Sequence, residues 1–409
     1  MEEAPEIVIV GGGIAGCALA TVLSRAAISV AVLERELAPV DQVRGEFLAL
    51  WGVAEAVQLG LVDTLISAGA FHTPRSVSYD ENAPLDEAEA VARDLSAFLP
   101  GIAGPLCCGH PAMCAALAAS SQAAGAKVLR GAKNVAVVAG VPPQISFDWN
   151  GQRIDWRPRL IVGADGRSST VRRQLPFGWN TDRPHNFLGG MLVEGVPQWP
   201  QDTFSIGTQG DLQFFVFPQG RGRLRLYACW ALDAAKRFAG TERRRRVLGA
   251  FGKLSCLRHS DAIANSTPIG PFNAFPNEDR WTDEPTLPGV LLIGDAAGYN
   301  DPIAGQGLAI ALRDVRVVRD LLVGSDFTQA TLKPFVDERA ERMRRLRVTA
   351  RLVATLRAEF VPGAPARRAR AFQRSFRDGW PSPLLAPIVG PDKLSPEAFE
   401  DAAIDRLLN

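Results

Sequence analysis

The sequence is poor in the residues that build metal centres, disulfide scaffolds and membrane spans. Its four histidines and six cysteines (Cys17, Cys107, Cys108, Cys114, Cys229 and Cys256) form no C-x-x-C pair and no ligand set. A zinc site and a disulfide framework are therefore excluded, and the cysteines read as reduced structural thiols. No run approaches the roughly 18 continuous apolar residues that a spanning helix needs. The opening MEEAPEIVIVGGG is acidic where a secretory leader is basic, so a cytoplasmic protein with no stable membrane insertion is expected. Strong charge of either sign is missing too: the formal net charge is +1, which gives no electrostatic reason to expect nucleic acid or an anionic membrane as partner. The one basic run, Arg243 to Arg246 in TERRRRVLGAFG, fits the solvated face of an amphipathic helix.

What is present is a chain of 409 residues, 47% hydrophobic, long enough for two or three closely packed domains. EIVIVGGGIAGCALATVLSRAAISVAVLERE reads as strand, turn, helix and strand, one βαβ unit. Helical stretches follow at FLALWGVAEAVQLG, LVDTLISAG and HPAMCAALAASSQAAGA, and strands at AKVLRG, NVAVVAG and RLIVGADG. From about Phe187 the runs FLGGMLVEGV, DTFSIGT, LQFFVFPQG and RLRLYACW alternate with turn residues and predict a mainly antiparallel sheet. GVLLIGDAAG then returns to a buried strand of the first kind, and proline-interrupted helical stretches fill the tail from about Thr331.

Three turns carry chemistry. In Gly11-x-Gly13-x-x-Gly16, the first glycine permits the tight turn, the second lets a pyrophosphate approach the helix-start amides, and the third allows close packing of helix on strand. Glu34 ends the next strand and is placed to accept ribose hydroxyls. That combination predicts a dinucleotide site and leaves NAD and FAD open. In LIVGADGRSSTVRR an apolar strand ends at Asp165-Gly166, followed by a helix start with Ser168 or Ser169 as cap and the cations Arg172 and Arg173. In LLIGDAAGYNDPIAGQGLAIALRD, Asp295 ends a strand where it can take a polyol hydroxyl. Gly305, Gln306 and Gly307 then open a helix whose free amides suit a developing anion, such as that of a reduced isoalloxazine.

The order of these motifs resembles the single-component flavoprotein monooxygenases of the para-hydroxybenzoate hydroxylase type. The resemblance implies an α/β fold with an α+β insert: a Rossmann-like FAD-binding domain, an interleaved, mainly antiparallel substrate-binding sheet, and C-terminal helices. The expected boundaries are 1–75, 100–175 and 276–325 for the FAD-binding domain, 76–99 and 176–275 for the substrate sheet, and 326–409 for the helical tail. Gly11, Gly13, Ile14, Ala15, Gly16, Glu34 and Arg35 would hold the ADP half of FAD. Arg44 would reach the phosphates or ribityl chain, and Asp165 with Gly166 would serve the pyrophosphate and a transient NADH or NADPH. Gly294 and Asp295 would hold the ribityl chain, with Pro302, Gly305, Gln306, Gly307 and Leu308 at the ring and His110 as a further contact. Leu308, where the family often has Asn, and His110, where it often has Arg or Gln, depart from the simple phenol hydroxylases.

In that family NADH or NADPH reduces FAD, O2 adds at flavin C4a, and the resulting hydroperoxide hydroxylates or epoxidises a hydrophobic small molecule, here expected to be aromatic or polycyclic. No side-chain nucleophile or metal is needed, and none is proposed as catalytic. Gln213, Phe215 and Tyr227 are the candidate pocket residues, against the competing reading of plain packing on the tail helices; alternation alone leaves open which sheet face meets the pocket. Three readings compete with oxygenation on the same fold. One is reduction of isoprenoid or olefinic double bonds. Another is halogenation, which needs a Trp-x-Trp-x-Ile-Pro segment absent here and a lysine near the oxidant, where none precedes Lys127. The last is non-enzymatic prenyl carriage, which has no use for the GDAAGYNDPIAGQG turn.

Overall fold

The computed structural model describes residues 4–380 and 382–409. Ile7–Val10, Val30–Glu34, Leu160–Gly163 and Val290–Leu292 are apolar runs buried along nearly their whole length, as parallel strands covered on both faces must be. With Lys127–Arg130 they form a parallel sheet, edged by the antiparallel Thr286–Leu287, and Ile7–Val10 lies at its centre between Leu160–Gly163 and Val30–Glu34. Side chains alternate between two cores. Ile7 and Ile9 pack with helices Ile14–Arg25, His110–Ala123 and Gly307–Leu322, while Val8 and Val10 meet Val137, Ile145 and Phe147.

Those last three residues belong to a small antiparallel sheet, Lys133–Val138, Gln144–Trp149 and Gln152–Trp156, which the sequence reading did not separate from its neighbours. Its signal was the Asn150-Gly151 pair between two alternating runs. Both residues have positive φ (50° and 77°), as a two-residue hairpin turn with right-handed strands demands.

The second large sheet has seven strands in the order Thr267–Asn277, Asn186–Glu194, Arg223–Trp230, Leu212–Pro218, Thr203–Gln209, Arg75–Asp80 and Arg93–Asp94. All pairs are antiparallel except Thr203–Gln209 with Arg75–Asp80. Phe214, Val216 and Leu226 face Val247, Leu248 and Phe251 of the helix Arg243–Phe251, whose four arginines are exposed. Phe215, Phe217, Tyr227 and Cys229 face the other way, toward Ala350 and Ala354. The strand Thr267–Asn277 carries this sheet two residues past the expected boundary at 275, and the first tail helix begins at Gln329.

That helix, Gln329–Arg357, is tied to the parallel sheet by a buried ion cluster. Asp314, 0% exposed, accepts from Arg339 Nε at 3.1 Å and from Arg342 Nη2 at 2.6 Å. Burial alone would raise the Asp314 carboxyl; Arg339 and Arg342 overcome it and hold the group below the ordinary carboxylate range. Removing the shared anion leaves the buried Arg339 guanidinium with no carboxylate partner and Arg342 with Glu338 alone. Asp314→Ala is therefore expected to lower the unfolding free energy by about 3 kcal/mol or more in urea titrations, and a loss below about 1 kcal/mol, the size of an exposed pair, would contradict the cluster's role.

Candidate cofactor and substrate site

The first turn is held by contact rather than by composition. Gly11 has φ +110°, and a Cβ there would stand 2.5 Å from Ala164 O; a Cβ on Gly16 would stand 1.9 Å from Gly11 O. Only glycine lets the helix Ile14–Arg25 sit this close to the strand it follows. Gly13 caps that helix without a side-chain hydrogen bond, and no atom lies within 4 Å of where its Cβ would be. The unbonded amides of the first turn thus open onto free space, the arrangement that binds a phosphate. Glu34 is fixed beside them, one oxygen accepting from Gly12 N and the other from Glu36 N, each at 2.7 Å. Each oxygen keeps a lone pair for a hydroxyl.

At the second turn the carboxylate of Asp165 is spent on its own helix: it accepts from Ser169 Oγ and Thr170 N at 2.5 Å and from Val171 N at 3.3 Å. Ser169 is the cap, accepting from Arg172 N at 3.0 Å. Arg172 then donates to Arg167 O at 2.7 Å and to Ala296 O at 2.8 Å, lacing the second turn to the third. The third turn is braced from behind. Gly294 N donates to Asp314 Oδ2 at 2.7 Å, while Arg339 Nη2 donates to Gly294 O at 3.1 Å and Gly298 O at 3.0 Å. Asp295, so held, lies 3.4 Å from Arg167 Nε. Gln306 turns its side chain away, accepting from Trp51 Nε1 at 2.6 Å and donating to Ala304 O at 2.5 Å. Its backbone and that of Gly307 begin the helix Gly307–Leu322 with no acidic side chain in the first turn.

All three turns border one cavity of about 700 Å³. Its wall includes Gly11, Gly13, Ile14, Ala15, Glu34, Arg35, Arg44, His110, Asp165, Gly166, Gly294, Asp295, Pro302, Gly305, Gln306, Gly307 and Leu308, with Phe215 and Tyr227 from the seven-stranded sheet. Gly16 lies beneath the wall, against Gly11. Arg35 stands at the rim with its side chain 80% exposed and paired with Glu36. Gln213 is the correction. It shares the face of Phe215 but pairs with Thr208 and Cys229 one step further along, where Thr208 Oγ1 donates to Arg357 O of the tail helix. The tail covers that row, and Gln213 is buried away from the cavity wall. Sequence reasoning missed Arg167, Glu46, Phe217 and Phe275 on the wall, and Asp314, Arg339 and Arg342 behind it. Of these, only Phe217 had a signal, its place two residues from Phe215 on one strand.

The pattern of the FAD binding domain family matches residues 5–347. The chain belongs to this family. Among curated proteins, the flavoprotein is 24% identical to squalene epoxidase 3 of Arabidopsis thaliana over 78% of its own length and 60% of that protein's. It is 26% identical to rifampicin monooxygenase of Streptomyces venezuelae over 76% of its length and 62% of that protein's. The chain therefore spans about 60% of the length of such relatives. Among solved structures, p-nitrophenol 4-monooxygenase PnpA from Pseudomonas putida DLL-E4 superposes with a TM-score of 0.78 at 18% identity, covering 100% of this chain and 99% of that one. That likeness is one of fold.

The cavity of this flavoprotein fits FAD on its own geometry. Free helix-start amides border it at two turns, and the carboxylates of Glu34 and Asp295 stand on its wall as acceptors for hydroxyls. Among the described residues no group of His, Cys, Asp and Glu is placed to hold a metal ion, and no helix is long and apolar enough to cross a membrane. Arg44 and His110 stand on the same wall. Burial lowers the Arg44 guanidinium, and the Arg167 charge lowers it further. His110 begins its helix with its ring 2.8 Å from where a Gly45 Cβ would be; burial and the Arg44 charge hold it down to about 4 from 6.5. The ring is thus neutral near pH 7. In the cofactor-free protein the unfolded chain takes up a proton on this ring below pH 6.5, and the folded chain does so only near 4. Stability accordingly falls as pH falls through that window, by up to about 3 kcal/mol from this group. His110→Gln should lose less unfolding free energy than the parent between those pH values; identical losses would contradict the assignment.

Proposed function

We propose that this flavoprotein is an FAD-dependent monooxygenase that uses NADH or NADPH and O2 to hydroxylate or epoxidise a hydrophobic, aromatic or polycyclic small molecule. The observation that carries the reading is the continuity of one chamber. The helix-start backbone at Gly305 to Gly307 and the wall of Leu188, Phe215, Phe217 and Phe275 border the same cavity. An acceptor carbon and the reactive end of a cofactor held by Asp295 would share a space poor in water, which favours oxygen transfer over loss of the oxidant to solvent. Bound FAD supplies two-electron reduction by the nicotinamide cofactor and the activation of O2. Overall, substrate, O2, NAD(P)H and a proton give oxygenated substrate, water and NAD(P)+.

The chain's own residues bind, orient and exclude. Amides from Gly13 to Ala15 and the carboxylate of Glu34 hold the ADP half, Arg44 balances phosphate charge, and Asp295 takes the ribityl hydroxyls. The amides at Gly305 to Gly307 stabilise negative charge at the ring. Arg167, set over the Tyr299 ring at 4.6 Å and beside Asp295, adds a positive charge to the wall at the ribityl end. The oxygenating activities named for squalene epoxidase and rifampicin monooxygenase support oxygen transfer to an organic small molecule. Six free and buried cysteines suit a reducing compartment, and we place the protein in the cytoplasm. Halogenation is disfavoured because the wall's one lysine among the described residues, Lys133, adjoins Ala132, whose amide bonds Glu34 O at the adenine end.

Purified protein is expected to be yellow and to convert substrate only when NAD(P)H and O2 are both supplied. Conversion of an olefin in the strict absence of O2 would overturn this reading in favour of reduction. A colourless protein that takes up no added FAD would overturn both.

A further inference from the structure

We propose that Trp51 is a positioning residue for the flavin ring: its indole N–H holds the Gln306 side chain off the helix start at Gly307, leaving those amides open to the negative charge of reduced FAD. The inference rests on the reading that this turn meets the ring of FAD, and it adds the residue that keeps the turn in its working form.

Gln306 stands at the N-cap of the helix Gly307–Leu322, the position from which an acceptor side chain can fold back and take a free first-turn amide. It makes no such bond here. Its oxygen accepts from Trp51 Nε1 at 2.6 Å and its amide donates to Ala304 O at 2.5 Å, so the side chain spans from the indole to the turn. Trp51 and Gln306 are each 2% exposed, so solvent does not share the bond. A buried indole N–H needs an acceptor and can only donate, which fixes the direction of this contact.

The place of Trp51 is set by helix packing. Its helix, Leu50–Gln58, meets the start of Gly307–Leu322 at a glycine: a Cβ on Gly52 would stand 2.5 Å from Leu48 Cδ1 and 2.6 Å from Ala309 Cβ. One turn further on, Glu55 accepts from Arg313 Nε and from Arg316 Nε, each at 2.5 Å. The tail closes the other side, where a Cβ on Gly390 would stand 3.4 Å from Trp51 Cβ and Asp392 lies 3.1 Å from Arg313 Nη2. Sliding between the two helices is thus blocked, and the indole reaches a fixed point beside the turn. A Gln306 oxygen released from that point would be free to cap the amides of Gly307 to Ala309, and would then compete with the reduced ring for them.

The test uses the FAD-loaded protein and reads the midpoint potential of the bound flavin, titrated with a reductant beside a reference dye, together with the dissociation constant of oxidised FAD. Trp51→Phe keeps an aromatic body and removes the N–H. It is expected to lower the ratio of affinities for reduced over oxidised FAD at least about fivefold, a fall of about 20 mV in a two-electron potential, while oxidised FAD binds within about threefold of the parent. Gln306→Met, similar in length but without the competing oxygen, supplies the second arm. In the Gln306→Met background the effect of Trp51→Phe on the ratio is expected to shrink to within about twofold, because the indole acts only through that oxygen. A packing role for Trp51 would leave the effect undiminished there. Should Trp51→Phe fail to fold, Trp51→Leu takes its place with the same expectations. A ratio within about twofold of the parent, a fall that persists in the Gln306→Met background, or loss of FAD from both Trp51 variants would each overturn the proposal while leaving FAD binding by the parent intact. A parent protein that takes up no FAD would overturn the functional reading beneath it.

Discussion

The carboxylate of Asp314 joins three parts of the chain that the sequence keeps apart. It accepts the amide of Gly294 at the end of a central strand, it rides on the helix that starts at Gly307, and it anchors Arg339 and Arg342 of the tail. The position of Asp295 follows from this one ion cluster, because the turn that carries Asp295 has its amide and carbonyls held from behind. A buried carboxylate is tolerated only when its charge and lone pairs are matched. Here one of the two guanidinium groups that match it, that of Arg339, also holds the carbonyls of Gly294, Ala297 and Gly298. The tail helix is thus part of the site's scaffold although it contributes no side chain to the cavity wall.

With that turn fixed, two helix N-termini border one space. Their unbonded amides supply oriented positive potential without a mobile cation, so they would meet a phosphate or a reduced ring without reorganising. The titratable groups on that wall include a half-buried Arg44 beside Arg167 and Asp295, and a histidine that burial and Arg44 keep neutral. The seven-stranded sheet adds Leu188, Phe215, Phe217, Tyr227 and Phe275 to the same wall, the apolar surface on which the proposed substrate would lie.

Much of the frame was legible because it is written locally. Buried parallel strands appear as continuous apolar runs, Gly11 and Gly16 are forced by contacts of 2.5 and 1.9 Å, and Gly294-Asp295 ends a strand of the same kind. Face assignment on the sheet was not legible, since Phe214 and Phe215 carry the same side chain and only the position of the tail decides between them. The same cause removed Gln213 from the wall. The ion cluster and the Glu46–Tyr227 hydrogen bond escaped for another reason: Tyr227 and Glu46 are 181 residues apart, and Arg339 and Asp314 are 25 apart on different helices. Polar contacts over such separations leave no periodicity or spacing to read.

On the proposed function, the turns at residues 11–16 and 294–307 belong to one cofactor site, not two nucleotide sites. Equilibrium titration of the cofactor-free protein with FAD, followed by displacement with ADP and, in a separate experiment, with FMN, tests it most directly. One FAD per chain, displaced competitively by either half-molecule, is the expected result. Two FAD per chain, or ADP and FMN binding that leaves FAD in place, would contradict it.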